Sequence, residues 1–334
     1  MKRWYDVNGL SLCIRAPDAD LITFLDAYVK PFACPEAGAP DYVISLERAR
    51  IDEPPVEAET LFEGELVPGT PCRLSMNGEQ TWLVVTDQIS VATDQKARTT
   101  TIQVDIGCLR ANAVMAGIHA LDAAIAAAGQ YLLHGAALAL PGDDTRAILL
   151  FAPSGTGKTT TALTLGLGGF GLMTDDAIVL QPRGYGGDAT NRAWGLPRAL
   201  KVHRRTVDLL PQIAPLLDSE WDSDGEQVLS VERLAGMVRT LPPRPIAIAA
   251  IVVLAERTTT NHHIAPMPKA EAMMRLVDDN VACAPSGVPA KDIKRFQVIG
   301  ALVAAVQVFK LRVGEPLATL PEMVARRVSH SAAH

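Results

Sequence analysis

The spacing of apolar and polar positions over residues 1–130 is typical of a small α+β domain, for which we expect a role in recognition or oligomerisation. Short segments such as GLSLCIR alternate between apolar and polar side chains, as strands do. Asn77 and Gly78 separate two such segments and suit a tight hairpin turn, because both tolerate a positive φ. Residues 19–29 and 109–128 instead have helical spacing. The predicted strands are residues 9–15, 42–46, 73–76, 81–85, 89–92 and 101–106.

From residue 131 onwards, apolar runs alternate with helical segments. Two strand-like runs, 131–140 and 147–152, precede a glycine-rich loop and a predicted helix at 160–167. This alternation indicates an α/β nucleotide-binding core over residues 131–334. The remaining predicted elements are strands at 171–174, 177–180, 247–254 and 306–311 and helices at 270–277 and 293–302.

Composition and charge narrow the possible functions. The chain of 334 residues is 48% hydrophobic and 20% charged, which is ordinary for a globular protein of about two domains. Its net charge of −6 provides no basic field for nucleic acid or an anionic membrane. The five cysteines are scattered without a C-x-x-C pair, which argues against a disulfide framework or a structural zinc site. We therefore expect a cytoplasmic protein with reduced thiols, bound to neither membrane nor nucleic acid.

The segment APSGTGKT, residues 152–159, has the pattern of a phosphate-binding loop, with Ala152 in place of the first glycine. Gly155 and Gly157 let successive backbone N–H groups converge on phosphate oxygens. Lys158 would reach the β- and γ-phosphates, and the Thr159 hydroxyl would ligate Mg²⁺. The alternative is a glycine-rich turn without a ligand. The predicted nucleotide-binding residues are Ser154, Gly155, Thr156, Gly157, Lys158, Thr159 and Thr160.

Three further residues are candidates for catalysis and metal binding. Asp175 and Asp176 follow the next predicted strand, so one carboxylate would serve the metal while the other accepts a proton from an incoming hydroxyl. Alternatively, Asp176 caps the following turn. His134 lies near the predicted site on the preceding strand and is either a proton shuttle or phosphate ligand, or a core histidine.

A basic segment near residue 200 provides candidates for substrate binding. Arg198 and Lys201 belong to the sequence GLPRALKVHRR, which is either a solvated basic face or part of the site. In the second case Arg198 or Lys201 would neutralise the γ-phosphate or bind an acidic acceptor.

Together, His134-Gly135, the glycine-rich loop and Asp175-Asp176 resemble the C-terminal catalytic domain of HPr kinase/phosphorylase. The core of that bacterial serine kinase is related to phosphoenolpyruvate carboxykinase. The resemblance implies an α/β fold with a P-loop-containing core. It also implies that Asp176 is the base for the acceptor serine, that Lys158 holds the transferring phosphoryl, and that Thr159 and His134 are active-site groups.

The chain departs from the bifunctional enzymes at two positions. Thr160 stands where those enzymes carry a glutamate, and their later metal-binding glutamate would fall near Arg192. Residues 1–130 do not resemble their N-terminal domain. The chain is more similar to dispersed HPr-kinase-like proteins, some of which phosphorylate a serine of ribosomally made peptides, including lasso peptides. HPr kinases form oligomers, so the resemblance also implies a homo-oligomer.

The sequence therefore predicts a kinase that uses Mg²⁺ and ATP, or GTP in its place, to phosphorylate a serine of a peptide or small protein. Two alternatives stay open from the sequence. One is a small-molecule kinase on the same core, because acceptor recognition depends on loops without a readable code. The other is a nucleotide-binding regulatory module with little turnover.

Overall fold

A computed structural model of the chain describes residues 1–36, 38–67, 69–105, 110–153, 155–281 and 290–331. The chain divides into two compact units, an N-terminal unit of residues 1–131 and a C-terminal unit of residues 132–281 and 292–331. Both units combine helices with a large sheet of mixed strand direction, so the predicted mixed α/β class is confirmed. Within the described ranges, no helix is long and apolar enough to cross a membrane.

The N-terminal unit is a nine-stranded sheet with two helices. The strand order is β3-β1-β2-β4-β9-β8-β7-β6-β5, in which β4 runs parallel to β2 and β9. Asp18 caps α1 by accepting a hydrogen bond from the Leu21 backbone N–H at 3.0 Å. The elements are β1 (Lys2–Asp6), β2 (Ser11–Arg15), α1 (Ala19–Val29), β3 (Ala33–Cys34), β4 (Tyr42–Arg48), β5 (Glu59–Val67), β6 (Thr70–Asn77), β7 (Gln80–Val85), β8 (Ile89–Asp94), β9 (Thr99–Val104) and α2 (Arg110–Ala127).

The predicted hairpin in this unit is confirmed, with its turn one residue later than expected. Asn77 pairs with Gln80 at the end of β6, so the turn residues are Gly78 and Glu79, and Gly78 has a φ of +61°. Strands β1, β3 and β5 were not predicted. The predicted positions 106 and 109 lie outside the described residues.

The C-terminal unit contains a second nine-stranded sheet. Its main path is β10-β14-β15-β18-β12-β11-β13, and β20 pairs with both β18 and β19. Strands β12, β18 and β20 are parallel neighbours. The strands are β10 (Tyr131–His134), β11 (Ala136–Leu140), β12 (Asp143–Phe151), β13 (Gly171–Thr174), β14 (Ala177–Gln181), β15 (Arg192–Gly195), β18 (Ile246–Leu254), β19 (His263–Pro266) and β20 (Gln307–Arg312), with β16 (Leu200–His203) and β17 (Glu226–Leu229) forming a separate pair.

Helices cover both faces of this second sheet. Ile148 and Leu150 of β12 belong to a core that includes the apolar residues of α3 and α8, whereas Leu149 and Phe151 pack in a core with residues of α6 and α7. Successive strand residues point to opposite faces, so burial of both faces explains the uninterrupted apolar run at 147–152. The helices are α3 (Lys158–Leu167), α4 (Arg204–Leu209), α5 (Val231–Leu234), α6 (Lys269–Asn280), α7 (Ala290–Ala305) and α8 (Leu320–Ser331).

The prediction of one strand over residues 131–140 was wrong, because the chain bends at Gly135. Strand β10 pairs with β14, whereas β11 pairs with β12 and β13. A Cβ at Gly135 would lie 2.8 Å from Ile178 Cδ1 and 2.9 Å from Phe151 Cε1, so only glycine fits. The Gly135 N–H also donates to the Asp176 backbone carbonyl at 3.1 Å. This bend brings the end of β10 to the Asp175-Asp176 link.

The link itself connects two strands that lie far apart in the sheet order. Thr174 ends β13 and Ala177 begins β14, so only Asp175 and Asp176 lie between them. A two-residue link can join strands toward opposite ends of the order only if the sheet curls until those ends meet. The two aspartates therefore occupy the closure point of the curled sheet.

Candidate functional site

The glycine-rich loop connects β12 to α3 at the carboxyl end of the parallel strands. Gly155 and Gly157 have φ values of +76° and +94°, which side chains with a Cβ rarely adopt. Gly157 is the N-cap of α3, so Lys158 and Thr159 begin the helix next to its electropositive end. Ser154 lies outside the described residues. The local strand-loop-helix order is the predicted one.

Lys158 and Thr159 both contact the aspartate pair. The Lys158 ammonium donates to the Asp175 backbone carbonyl at 2.8 Å and to Asp176 Oδ1 at 3.1 Å. The Thr159 hydroxyl donates to Asp175 Oδ2 at 3.2 Å. Thr160, one residue further, shares a hydrogen bond of 2.8 Å with the Thr206 hydroxyl of α4. The first turn of α3 is therefore bonded both to the aspartate link and to the segment that follows β16.

Asp176 is surrounded by three cationic or protonatable groups. His134 Nδ1 and Lys158 Nζ each lie 3.1 Å from Asp176 Oδ1, and the Arg198 guanidinium donates to Asp176 Oδ2. The hydroxyl of Thr174, not the Asp176 carboxylate, accepts from the Ala177 backbone N–H at 3.2 Å. Asp176 is thus the centre of an ion-pair cluster rather than a turn cap.

The two carboxylates have opposite electrostatic environments. Burial, reinforced by the charge of Asp176, raises the pKa of Asp175 from 3.8 to about 6, although Lys158 and Arg198 oppose that effect. Burial alone would also raise the pKa of Asp176. The hydrogen bond from His134 and the charges of Lys158 and Arg198 outweigh it and hold that pKa well below its usual range. Asp176 therefore ionises at lower pH than Asp175.

The backbone of His134 is held by a residue far away in the sequence. Asn280, at the last position of α6 and only 8% exposed, accepts the His134 backbone N–H at 2.6 Å. Its amide group donates to the Leu276 carbonyl of the same helix at 2.8 Å. Asn280 therefore fixes the end of β10 beside Asp176.

These groups line one cavity of about 670 Å³, a volume ordinary for small-molecule sites. The predicted residues Gly155 to Thr160, Asp175, Asp176 and His134 all contribute to it, as do Arg198 and Lys201. Lys201 does not contact the aspartates; its ammonium lies 3.3 Å from Glu226 Oε2. Arg192 pairs with Asp188 and is not part of the lining.

A Mg²⁺ ion would need ligands beyond the protein at this site. In the part of the chain that the structure describes, no three His, Cys, Asp or Glu side chains are grouped to hold a metal. Mg²⁺ usually keeps several waters and binds one or two carboxylates plus substrate phosphates. The Asp175 carboxylate beside the Thr159 hydroxyl fits that pattern.

Several lining residues were not predicted from the sequence or had only weak signals. They stand on β16, β17, α4 and the segment after β18, and the local signal for two of them, His203 and Arg205, was the basic segment at residues 195–205. These residues are His203, Arg205, Thr206, Glu226, Glu256 and Arg257.

No protein-family model matches this chain, and no curated protein matches its sequence.

Proposed function

We propose that this protein is a kinase that transfers the γ-phosphoryl group of ATP to a serine hydroxyl of a peptide or small protein. The observation that supports it is the convergence of Lys158, His134 and Arg198 on Asp176 beside a glycine-rich loop. The proposal includes a P-loop core of the HPr-kinase type. It also includes a ribosomally made peptide, such as a lasso peptide, as the acceptor, and a cytoplasmic location consistent with the scattered cysteines.

In this mechanism the loop amides and Lys158 bind the phosphate chain at the positive end of α3. Thr159 and Asp175 would hold Mg²⁺, which when bound neutralises charge on the phosphate oxygens. Arg198 lies where it can stabilise the transferring phosphoryl as its charge develops.

The proton of the acceptor moves to Asp176. As the serine oxygen bonds to the γ-phosphorus, the bond from that phosphorus to the β-γ bridging oxygen breaks, and ADP leaves. Asp176 Oδ1 or Oδ2 accepts the serine proton, and His134, 3.1 Å away, provides a route for that proton to solvent. A base in this role typically contributes about 10²–10⁴-fold in rate.

Label transfer tests the proposal. Purified protein, γ-labelled ATP, Mg²⁺ and an extract of the source cells are incubated, with Asp176→Asn protein as the matched control, and products are separated by size. We expect label in a polypeptide with the wild type and a loss of about 10²-fold or more with the variant. Label only in low-mass material would replace the peptide by a small-molecule acceptor. Nucleotide binding without label in either fraction would favour a regulatory module.

A further inference from the structure

One side of the cavity carries cationic side chains in addition to Lys158 of the glycine-rich loop. We call Arg198, Lys201 and Arg205 the basic wall; they lie on the segment through β16 into the first turn of α4. In β16, Leu200 and Val202 are buried, so the alternate residue Lys201 faces the cavity. Within the wall, Arg198 contacts Asp176, whereas Lys201 lies beside Glu226.

The charges of the cavity do not balance locally. Lys158 and Arg198 pair with Asp176, and Lys201 pairs with Glu226. Within the described ranges, the guanidinium groups of Arg205 and half-buried Arg257 have no ion-pair partner, although both line the cavity. Two lining carboxylates remain: Asp175 accepts a hydrogen bond from Thr159, and among the described residues Glu256 pairs with neither guanidinium. Two guanidiniums in one concave site favour an anion, because a guanidinium binds carboxylates or phosphates in bidentate geometry.

The positive charge of this cavity wall contrasts with the negative net charge of the whole chain. The protein has a net charge of −6, so the two guanidiniums of Arg205 and Arg257, which have no ion-pair partner among the described residues, are a local feature of this cavity. The phosphates of the nucleotide already have Lys158, the loop amides and the positive end of α3. An acceptor whose hydroxyl reaches Asp176 would extend along the wall.

We propose that the basic wall selects an acidic acceptor, a peptide with carboxylates close to the serine that is phosphorylated. This proposal rests on the proposed kinase function and specifies its substrate class. Lys201 and Arg205 bind the flanking carboxylates, and Arg198 stays with Asp176 and the transferring phosphoryl.

Direct binding and label transfer, run in parallel, separate this proposal from the kinase itself. The probes are two synthetic peptides, one with serine flanked by two glutamates on each side and one with alanines instead. Calorimetry measures their binding to the 334-residue chain loaded with ADP and Mg²⁺. We expect the acidic peptide to bind at least about tenfold more tightly, with the preference weakening at high salt.

The matched variants are Arg205→Gln and Arg204→Gln. Both remove one positive charge from the first turn of α4, but Arg204 does not line the cavity and instead stacks on Trp221 at 5.4 Å. Arg205→Gln should remove most of the preference without changing ADP affinity, and Arg204→Gln should keep it. Equal binding of the two peptides would overturn the acidic-acceptor proposal. So would an ADP affinity that falls in Arg205→Gln as much as peptide affinity does.

Label transfer to the same peptides then tests the kinase independently. If the acidic peptide binds selectively but receives no label, the basic wall is a binding surface and the proposed kinase function is contradicted. Equal labelling of both peptides would retain the kinase and refute the selectivity.

Discussion

The ammonium of Lys158 lies 3.1 Å from the carboxylate of Asp176, although the two residues belong to different elements. With Arg198 on the other oxygen, both carboxylate oxygens of Asp176 are engaged. Two of the three N–H groups of Lys158 already donate to the aspartate link, so a phosphate entering the glycine-rich loop competes with Asp176 for the charge of Lys158. Lys158 thus couples nucleotide binding to the contacts of the candidate base, which His134 and Arg198 also hold.

Asp176→Asn should bind ADP more tightly than the wild type when no Mg²⁺ is present. The substitution removes a negative charge beside the phosphate site and frees Lys158, so we expect a severalfold lower Kd. Calorimetry in chelator measures it. Lys158→Gln is the control, for which we expect ADP affinity to change in the opposite direction. It should bind ADP at least about tenfold more weakly, because it loses a charge-assisted hydrogen bond. Weaker ADP binding by Asp176→Asn would show that the ion pair does not compete with phosphate.

Gly157→Ala should destabilise the fold by about 1–2 kcal/mol and abolish tight ADP binding, because Gly157 has a φ of +94° that alanine disfavours. Gly236→Ala is the matched control, since Gly236 does not have a positive φ and an added Cβ would meet nothing within 4 Å. Urea unfolding and calorimetry of both variants give the comparison. Equal effects of the two substitutions would exclude backbone conformation as the reason for glycine in the loop.

Asp175→Asn should stabilise the protein at alkaline pH. The folded-state pKa of about 6 exceeds the ordinary 3.8, so the folded protein binds the proton more tightly and loses stability as the pH rises from about 4 to 6. An amide removes that cost, which is at most about 3 kcal/mol above pH 6 and vanishes near pH 4.

Thermal unfolding in chelator between pH 5 and pH 8 measures this gain. Asp176→Asn serves as the control, because its effect on stability should have the opposite sign. Its lowered pKa makes the ionised carboxylate stabilising at neutral pH, so the amide should lower the Tm at pH 8. A gain for Asp175→Asn that did not grow with pH would contradict the assignment of the raised pKa.

Asn280→Ala should cost about 1–3 kcal/mol of stability and reduce label transfer, because it leaves the His134 backbone N–H without its acceptor. Asn280→Asp keeps an acceptor oxygen at that position. We expect Asn280→Asp to recover more of the label transfer than of the stability, since its side chain no longer donates a hydrogen bond to the Leu276 carbonyl. If Asn280→Ala transferred label as fast as the wild type, Asn280 would not be a positioning residue for His134.

Elements with strong local signals could be predicted from the sequence. The apolar run at 147–152, the glycines at 155 and 157 and the helical segment after them correspond to β12, the loop and α3. Each signal lies within a short window, because strand periodicity, positive φ and helix initiation depend on neighbouring residues. The prediction of one strand over residues 131–140 was wrong, because the break at Gly135 involves close contacts with Ile178 and Phe151, which lie elsewhere in the sequence.

The chemistry that the sequence by itself determined was a set of residue types: a lysine and threonine after a glycine-rich loop, a pair of aspartates and a histidine. Only the tertiary structure decided which of them meet. Arg198 and Asn280 reach Asp176 and His134 because the sheet curls and α6 packs on it, and Arg205 of α4 lines the same cavity. Such contacts follow from burying the faces of strands distant in sequence, which no short window of residues encodes.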